Sequence, residues 1–406
     1  MGMRTRPLYG LFTAAALVLV ACGGGGGGTA SSSSLSGVAA TEKADPAILQ
    51  KALGTTTGVD PIVESALARA GKTVDVQLAL KCWKDNVCDT GHGNLTVALA
   101  DGFGQNVWRE VTHMEFVLQA LSYPQIRKII YTDARAQATQ AISDMRSLIA
   151  QKVDIITTFP DAGEALLPTV KQATKAGIIV VPYISTVGGN AGTDYLSFVA
   201  EDLCSLGTQF ADIDIQQLNG TGNVVELGGT PGNSLSASWQ ACSEKELAAK
   251  GAGLHVLGKA DTNWTQQGTF EAMSGFLARN SKIDAVQYEY ADGYLGGIRA
   301  YQAAGRPLDQ VLTLRTDEQG LFCQWQQIND PNFKIFYSSG GGYQVRIALT
   351  AGMMKLGGVS VGPRLTVPFR MRQVQAGQCN PKIPAGAPVS TVVPDNVLTA
   401  MFPSGS

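Results

Sequence analysis

From Leu95 onward the chain alternates short β-branched runs with stretches of helical period, and that alternation limits the folds open to it. The runs are Leu95–Ala100, Lys128–Thr132, Val153–Phe159, Gly177–Ile184, Leu196–Ala200, Asn223–Leu227, Leu254–Gly258, Ile283–Glu289, Val311–Arg315, Phe333–Ser338 and Leu365–Phe369. Between most of them lie stretches such as Val107–Leu121 and Gln137–Gln151. The second carries Ala141, Ile142, Met145, Leu148 and Ile149 on one side. Strands alternating with helices of this length predict βαβ units and parallel sheets. Near-continuous apolar runs such as Ile178-Ile-Val-Val181 suit sheets covered on both faces. Roughly ten strands exceed one compact sheet of usual size, so the expected class is α/β with two doubly wound parallel-sheet lobes.

The N-terminal part has a different character. Asp45-Pro46 and Asp60-Pro61 each set an N-cap acid before a proline, and Gly54 and Gly71 stand where helices end. Residues 45–94 are read as a helical extension with a cysteine loop, either packed on the body or serving as a stalk. Before it, Arg4 and Arg6 precede the apolar segment Leu11–Ala21, which has signal-peptide length and is too short to span a bilayer. Leu19-Val-Ala-Cys22 resembles a bacterial lipobox, which implies cleavage after residue 21 and lipidation of Cys22. Residues 22–44 then form a flexible tether, beginning with the glycines 23–28. An exported, membrane-anchored body is expected, with no later apolar stretch long enough to cross a membrane.

Loss of residues 1–21 moves the formal charge from −2 to −4, which argues against a nucleic-acid partner. Besides Cys22 there are Cys82, Cys88, Cys204, Cys242, Cys323 and Cys379, an even set that suits disulfides in an exported protein. Cys82 and Cys88 are close enough in sequence to close a small loop. Position along the chain suggests Cys204 with Cys242 and Cys323 with Cys379, among fifteen possible connectivities. His92, His113 and His255 lie far apart and there is no CxxC spacing, so neither a metal nor a cofactor is expected.

The segments Lys128-Ile-Ile-Tyr-Thr-Asp133, Leu148–Ile156, Pro160–Pro168 and Ala176–Pro182 follow one another in fixed order. Gly222–Ser234, Ile283–Val286, Ala291–Gly293 and Ala303–Arg306 continue it. The series resembles the sugar-type periplasmic binding proteins, the receptor components of ABC importers. The resemblance implies lobes joined by three crossovers, near Ser197–Val199, Ser338–Gly342 and Ser360–Thr366. Lobe one would comprise 95–198 plus 341–364, and lobe two 199–340 plus 365–400, with the tail from 378 wrapping the second lobe. Ligand would bind between them, which also follows from the rule that open α/β sheets bind at the carboxyl ends of their strands.

The loop Asp101–Arg109 follows the first strand of this series and carries Asn106, Trp108 and Arg109. An indole can lie flat on the C–H face of a sugar, and a guanidinium fork can bind paired hydroxyls or a carboxylate. By the resemblance, Trp264 is a second stacking aromatic, and Asp292 and Asp317 are polar contacts, with Glu318 and Glu289 as weaker choices. Each indole has a core-packing reading beside this one. Three positions depart from the family pattern. Ile184 stands for a sugar-grasping Asp, Trp239 for an Arg, and Gly340 for a hinge Gln, so a rewired site that includes Trp239 is expected.

These readings point to a receptor for a small polyhydroxylated solute, partnered by a membrane permease and monomeric by default. A sensory receptor of the same fold is the alternative. Gly-x-Ser-x-Gly and phosphate-cradling signatures are absent from the sequence, so an enzyme is not expected.

Overall fold

A computed structural model describes residue 35 and residues 37–403. The signal segment, Cys22 and most of the tether lie outside the described residues. The strands, in chain order, are β1 (Val87–Asp89), β2 (Leu95–Asp101), β3 (Ile126–Asp133), β4 (Ile155–Phe159), β5 (Ile179–Pro182) and β6 (Phe198–Ala200). They continue with β7 (Thr221–Gly228), β8 (Gly253–Asp261), β9 (Ala285–Tyr288), β10 (Val311–Leu314) and β11 (Lys334–Tyr337). Two short strands, β12 (Arg364–Thr366) and β13 (Arg372–Gln373), close the series.

One sheet has the order β1-β3-β2-β4-β5 and the other β13-β11-β10-β9-β7-β8. All pairings are parallel except the edge strands β1 and β13. Every strand run expected from the sequence forms a strand. The two edge strands were not foreseen, because three and two residues carry no readable alternation. Burial explains the apolar runs: β4 is covered along its whole length, and Val180 and Val181 on β5 are fully buried.

After the edge strand β1, the parallel part of the first sheet starts at β2, steps to β3, then crosses to β4 on the other side. In the second it starts at β7, steps to β8, then crosses to β9. The strand order therefore reverses beside β2 and β4 in one lobe and beside β7 and β9 in the other. Loops leaving the carboxyl ends at such reversals splay apart and leave a crevice. Here the two crevices face one another.

The lobes are joined by β6 and β12, which pair in parallel, and by residues 338–343 between β11 and helix Gln344–Leu356. The tail departs from the sequence reading, which placed it wholly on the second lobe. It starts there, tied by Cys323–Cys379 and by Gln319 N donating to Ala387 O. It then returns to the first lobe: Thr391 and Val392 donate to Glu115, and Phe402 meets Trp83 edge-on with centroids 6.0 Å apart. A fourth passage between the lobes results.

The extension is body, not stalk. Asp45 and Asp60 cap their helices by accepting from Ala47 N and Ile62 N. Helix Pro61–Ala68 packs on helix Gln344–Leu356, and Arg69 lies 3.8 Å over the Tyr123 ring while pairing with Glu42. Cys82–Cys88 joins the third extension helix to β1, and Cys204–Cys242 staples two helices of the second lobe. No helix of the described residues is long and apolar enough to cross a membrane.

Candidate functional site

Where the two crevices meet, a small cavity is lined by residues of both lobes. From the first lobe come Asn106, Trp108, Arg109 and Phe159; from the second come Leu235, Trp264, Glu289, Tyr290, Arg315 and Thr316. Most stand at or just beyond strand carboxyl ends, where the topology places a ligand.

The first-lobe wall is built by one helix start. Asn106 caps helix Val107–Leu121 by accepting from Arg109 N at 2.9 Å, which fixes the two following side chains. Trp108 meets Phe159 edge-on at 6.2 Å. The Arg109 guanidinium lies 3.4 Å over the Phe159 ring and donates to Asp101 at 2.5 Å and to Asp161 at 3.0 and 3.1 Å. Gly102 permits this approach, since a Cβ there would fall 2.4 Å from an Asp161 oxygen. Burial raises the Asp161 carboxyl to about 7, against the pull of Arg109.

The second-lobe wall centres on Glu289. It accepts from Ser236 at 2.7 Å, from Trp264 Nε1 at 2.8 Å and from Trp239 Nε1. Burial raises its carboxyl while these three donors hold it down. Asn263 and Trp264 take left-handed φ values of 53° and 50°, which Asn tolerates but which is uncommon for a bulky residue such as Trp and typical of strained positions at sites. The indole lies on Gly229, where a Cβ would fall 1.9 Å from the ring. Trp264 and Phe159 meet edge-on across the lobes at 6.5 Å and 83°.

Two donors of the lining have no hydrogen-bond partner among the described residues: Trp108 Nε1 and Arg315 Nη2. Arg315 Nε is held by Glu201. Buried donors seldom go unpaired, so acceptor atoms of a ligand are their natural partners.

A wider cavity of about 380 Å³ is lined by Gly102, Ala134, Asp161, Thr230, Gly232 and Asn263 among others. Three direct bonds join the lobes here. Asn233 Nδ2 donates to Asp161 at 3.1 Å, Ser185 Oγ donates to Asn233 Oδ1 at 3.1 Å, and Thr186 N donates to Ser234 Oγ at 3.1 Å.

Residues 100–330, more than half of the chain, match the periplasmic binding protein domain family. The chain belongs to that family. It is similar to a xylitol-binding protein of Mycolicibacterium smegmatis, 27% identical over 195 residues that cover 48% of this chain and 55% of the relative. The match thus spans about half of that relative's length. A solved structure from Mycobacterium smegmatis in complex with β-D-fucofuranose superposes with a TM-score of 0.61 at 21% identity, covering 69% of this chain and 91% of that one. The fructose-binding periplasmic domain of a hybrid two-component system gives a TM-score of 0.61 at 18% identity, covering 69% and 90%.

In this periplasmic binding protein the structure brings together Asn106, Trp108, Arg109 and Trp264 of the residues read from the sequence, with Glu289 from the weaker choices. Trp239, Asp292, Asp317 and the weaker choice Glu318 do not line the chamber. Trp239 is fully buried behind Glu289, 5.4 Å from Phe210, so it positions a lining residue without reaching the cavity. Asp292 accepts from Gln266 at 3.1 Å, and Asp317 accepts from Ser390 N and Oγ at 3.0 and 2.9 Å. Their carboxylates are turned to protein donors. The lining residues Phe159, Leu235, Tyr290, Arg315 and Thr316 were missed. Phe159, Tyr290, Arg315 and Thr316 carried a usable signal, as they end or directly follow a strand run. His113 is stacked on Tyr131 at 3.7 Å, and burial lowers its pKa to about 3. No group of residues able to hold a metal occurs among the described residues.

Proposed function

We propose that this protein is an extracytoplasmic receptor for a small, uncharged polyhydroxylated solute, a sugar or polyol, which it delivers to an ABC-type importer. The supporting observation is the chamber between Trp108 and Phe159 on one lobe and Trp264 on the other, with Trp108 Nε1 and Arg315 Nη2 unpaired at its wall. Flat aromatic faces suit the C–H faces of such a ligand, and unpaired donors suit its oxygens. The charged groups are committed to one another, Arg109 with Asp101 and Asp161 and Arg315 with Glu201, which favours a neutral ligand. Nothing in the chamber pairs a nucleophile with a base, so binding without turnover fits best. Cys22 as a lipidated mature N-terminus would keep the receptor, as a monomer, beside its permease.

The test is calorimetry of the mature protein against pentitols, inositols, pentoses and hexoses in pyranose and furanose forms. Xylitol is the first probe, given the xylitol-binding relative. Binding near micromolar, about −8 kcal/mol, is expected for at least one member. Silence across the whole panel would remove this reading.

A further inference from the structure

We infer that the ligand turns an edge without hydroxyl hydrogens into the chamber, an edge of methyl, ring-ether or O-methyl groups, which makes the solute a deoxy or O-methyl sugar or cyclitol. The inference rests on the reading of this chamber as the ligand site and narrows it.

A hydroxyl both donates and accepts, so a chamber that buries one must supply an acceptor as well as a donor. The lining offers donors. Trp108 Nε1 and Arg315 Nη2 are buried and have no hydrogen-bond partner among the described residues. Its acceptors are engaged. Glu289 receives Ser236, Trp264 and Trp239, which fills three of a carboxylate's roughly four acceptor places. Thr316 Oγ1 accepts from Ala291 N at 2.9 Å and donates to Glu318 at 2.6 Å. Asn106 Oδ1 is held by Arg109 N, and the Tyr290 hydroxyl is turned to Asp292. Phe159 and Leu235 add only apolar surface. Each of these bonds lies within one lobe, so the imbalance holds at any separation of the lobes.

The carboxylates that the resemblance offered as hydroxyl acceptors are withdrawn as well. Ile184 stands in place of one, Asp292 accepts from Gln266, and Asp317 accepts from Ser390. A hydroxyl carried into the chamber loses water and gains no acceptor for its hydrogen, which weakens binding by about ten- to a hundredfold. An ether oxygen has no hydrogen to satisfy and takes the indole or guanidinium N–H directly. A methyl group meets Leu235 and the aromatic rings. An anion would also suit two donors, but both arginines of the lining are already paired, Arg109 with Asp101 and Asp161 and Arg315 with Glu201. A neutral ligand leaves those pairs intact.

The experiment is calorimetry of the mature protein against matched pairs: D-fucose with D-galactose, L-rhamnose with L-mannose, and D-pinitol with D-chiro-inositol. The first member of each pair lacks one hydroxyl or carries it as a methyl ether, and xylitol is the fully hydroxylated reference. In at least one pair the first member should bind at least about tenfold tighter. Leu235→Asn, which sets an amide carbonyl in the chamber wall, should reduce that ratio; an undiminished ratio would place the preference outside the chamber and overturn the inference. Should the variant not fold, the wild-type ratios stand alone. Ratios under about tenfold in every pair that binds, or binding of xylitol with all the pairs silent, would overturn the inference and leave the receptor reading in place. Silence of every ligand would remove the receptor reading and the inference with it, so the two failures are told apart.

Discussion

Trp264 carries more than its ring. Its indole forms one wall of the chamber, and its N–H satisfies Glu289, a buried carboxylate that also serves Ser236 and Trp239. Trp264→Ala removes the wall and leaves Glu289 short of a donor, so affinity for the ligand should fall by about 2–4 kcal/mol in calorimetry. Trp264→Phe keeps an aromatic face and loses only the donor, so it should lie between the two. Equal loss in both variants would mean that the hydrogen bond, not the stacking surface, matters. The same residue-scale logic explains which acids failed to reach the cavity. Asp317 and Asp292 sit at the expected positions in the chain, but each finds protein donors first, and a carboxylate so held has little left to offer a solute.

At the scale of elements, the interior of the second lobe contains a polar residue with an incomplete set of partners. Glu226 on β7 is fully buried, and neither oxygen has a hydrogen-bond partner among the described residues, although Lys259 Nζ lies 3.8 Å away. Burial, aided by Glu244, raises its carboxyl to about 8. A folded-state pKa above the usual 4.5 means the folded protein keeps a proton that the unfolded chain releases. Its contribution is therefore intact below pH about 4.5 and is lost progressively as pH rises through about 8. Glu226→Gln should remove that slope, giving a gain on the order of a few kcal/mol at pH 8 that vanishes near pH 4. Denaturant titrations at the two pH values check it; a variant less stable at pH 8 would mean that Glu226 is ionised and paired. Elements were also the most legible level of the sequence. Every long strand, the capped helices and the loop closed by Cys82–Cys88 follow from period, caps and spacing, which are local properties.

For the molecule as a whole, the tail changes how the lobes are tied. Ser390 binds Asp317 of the second lobe, while the next two residues bind Glu115 of the first, which is itself paired with fully buried Arg346. A strap of so few residues limits how far the lobes part on the hinge side. Truncation before Ser390 strips donors from Asp317 and Glu115, buried carboxylates at 1% and 0% exposure. The unfolding midpoint should fall by at least about 5 °C, and the ligand-free scattering radius should grow. A truncated chain with the wild-type midpoint would show that the strap contributes nothing. What the sequence determined unaided was the α/β alternation and the order of segments that marks the family. Tertiary structure alone decided where each polar side chain spends its hydrogen bonds. Arg109 goes to Asp101 and Asp161, Asn233 reaches Asp161 from 72 residues away, and Glu115 meets Thr391 from 276 away. Periodicity and capping act within a few residues, whereas a buried charge is satisfied by whatever donor the folded chain carries to it, and that destination has no local signature.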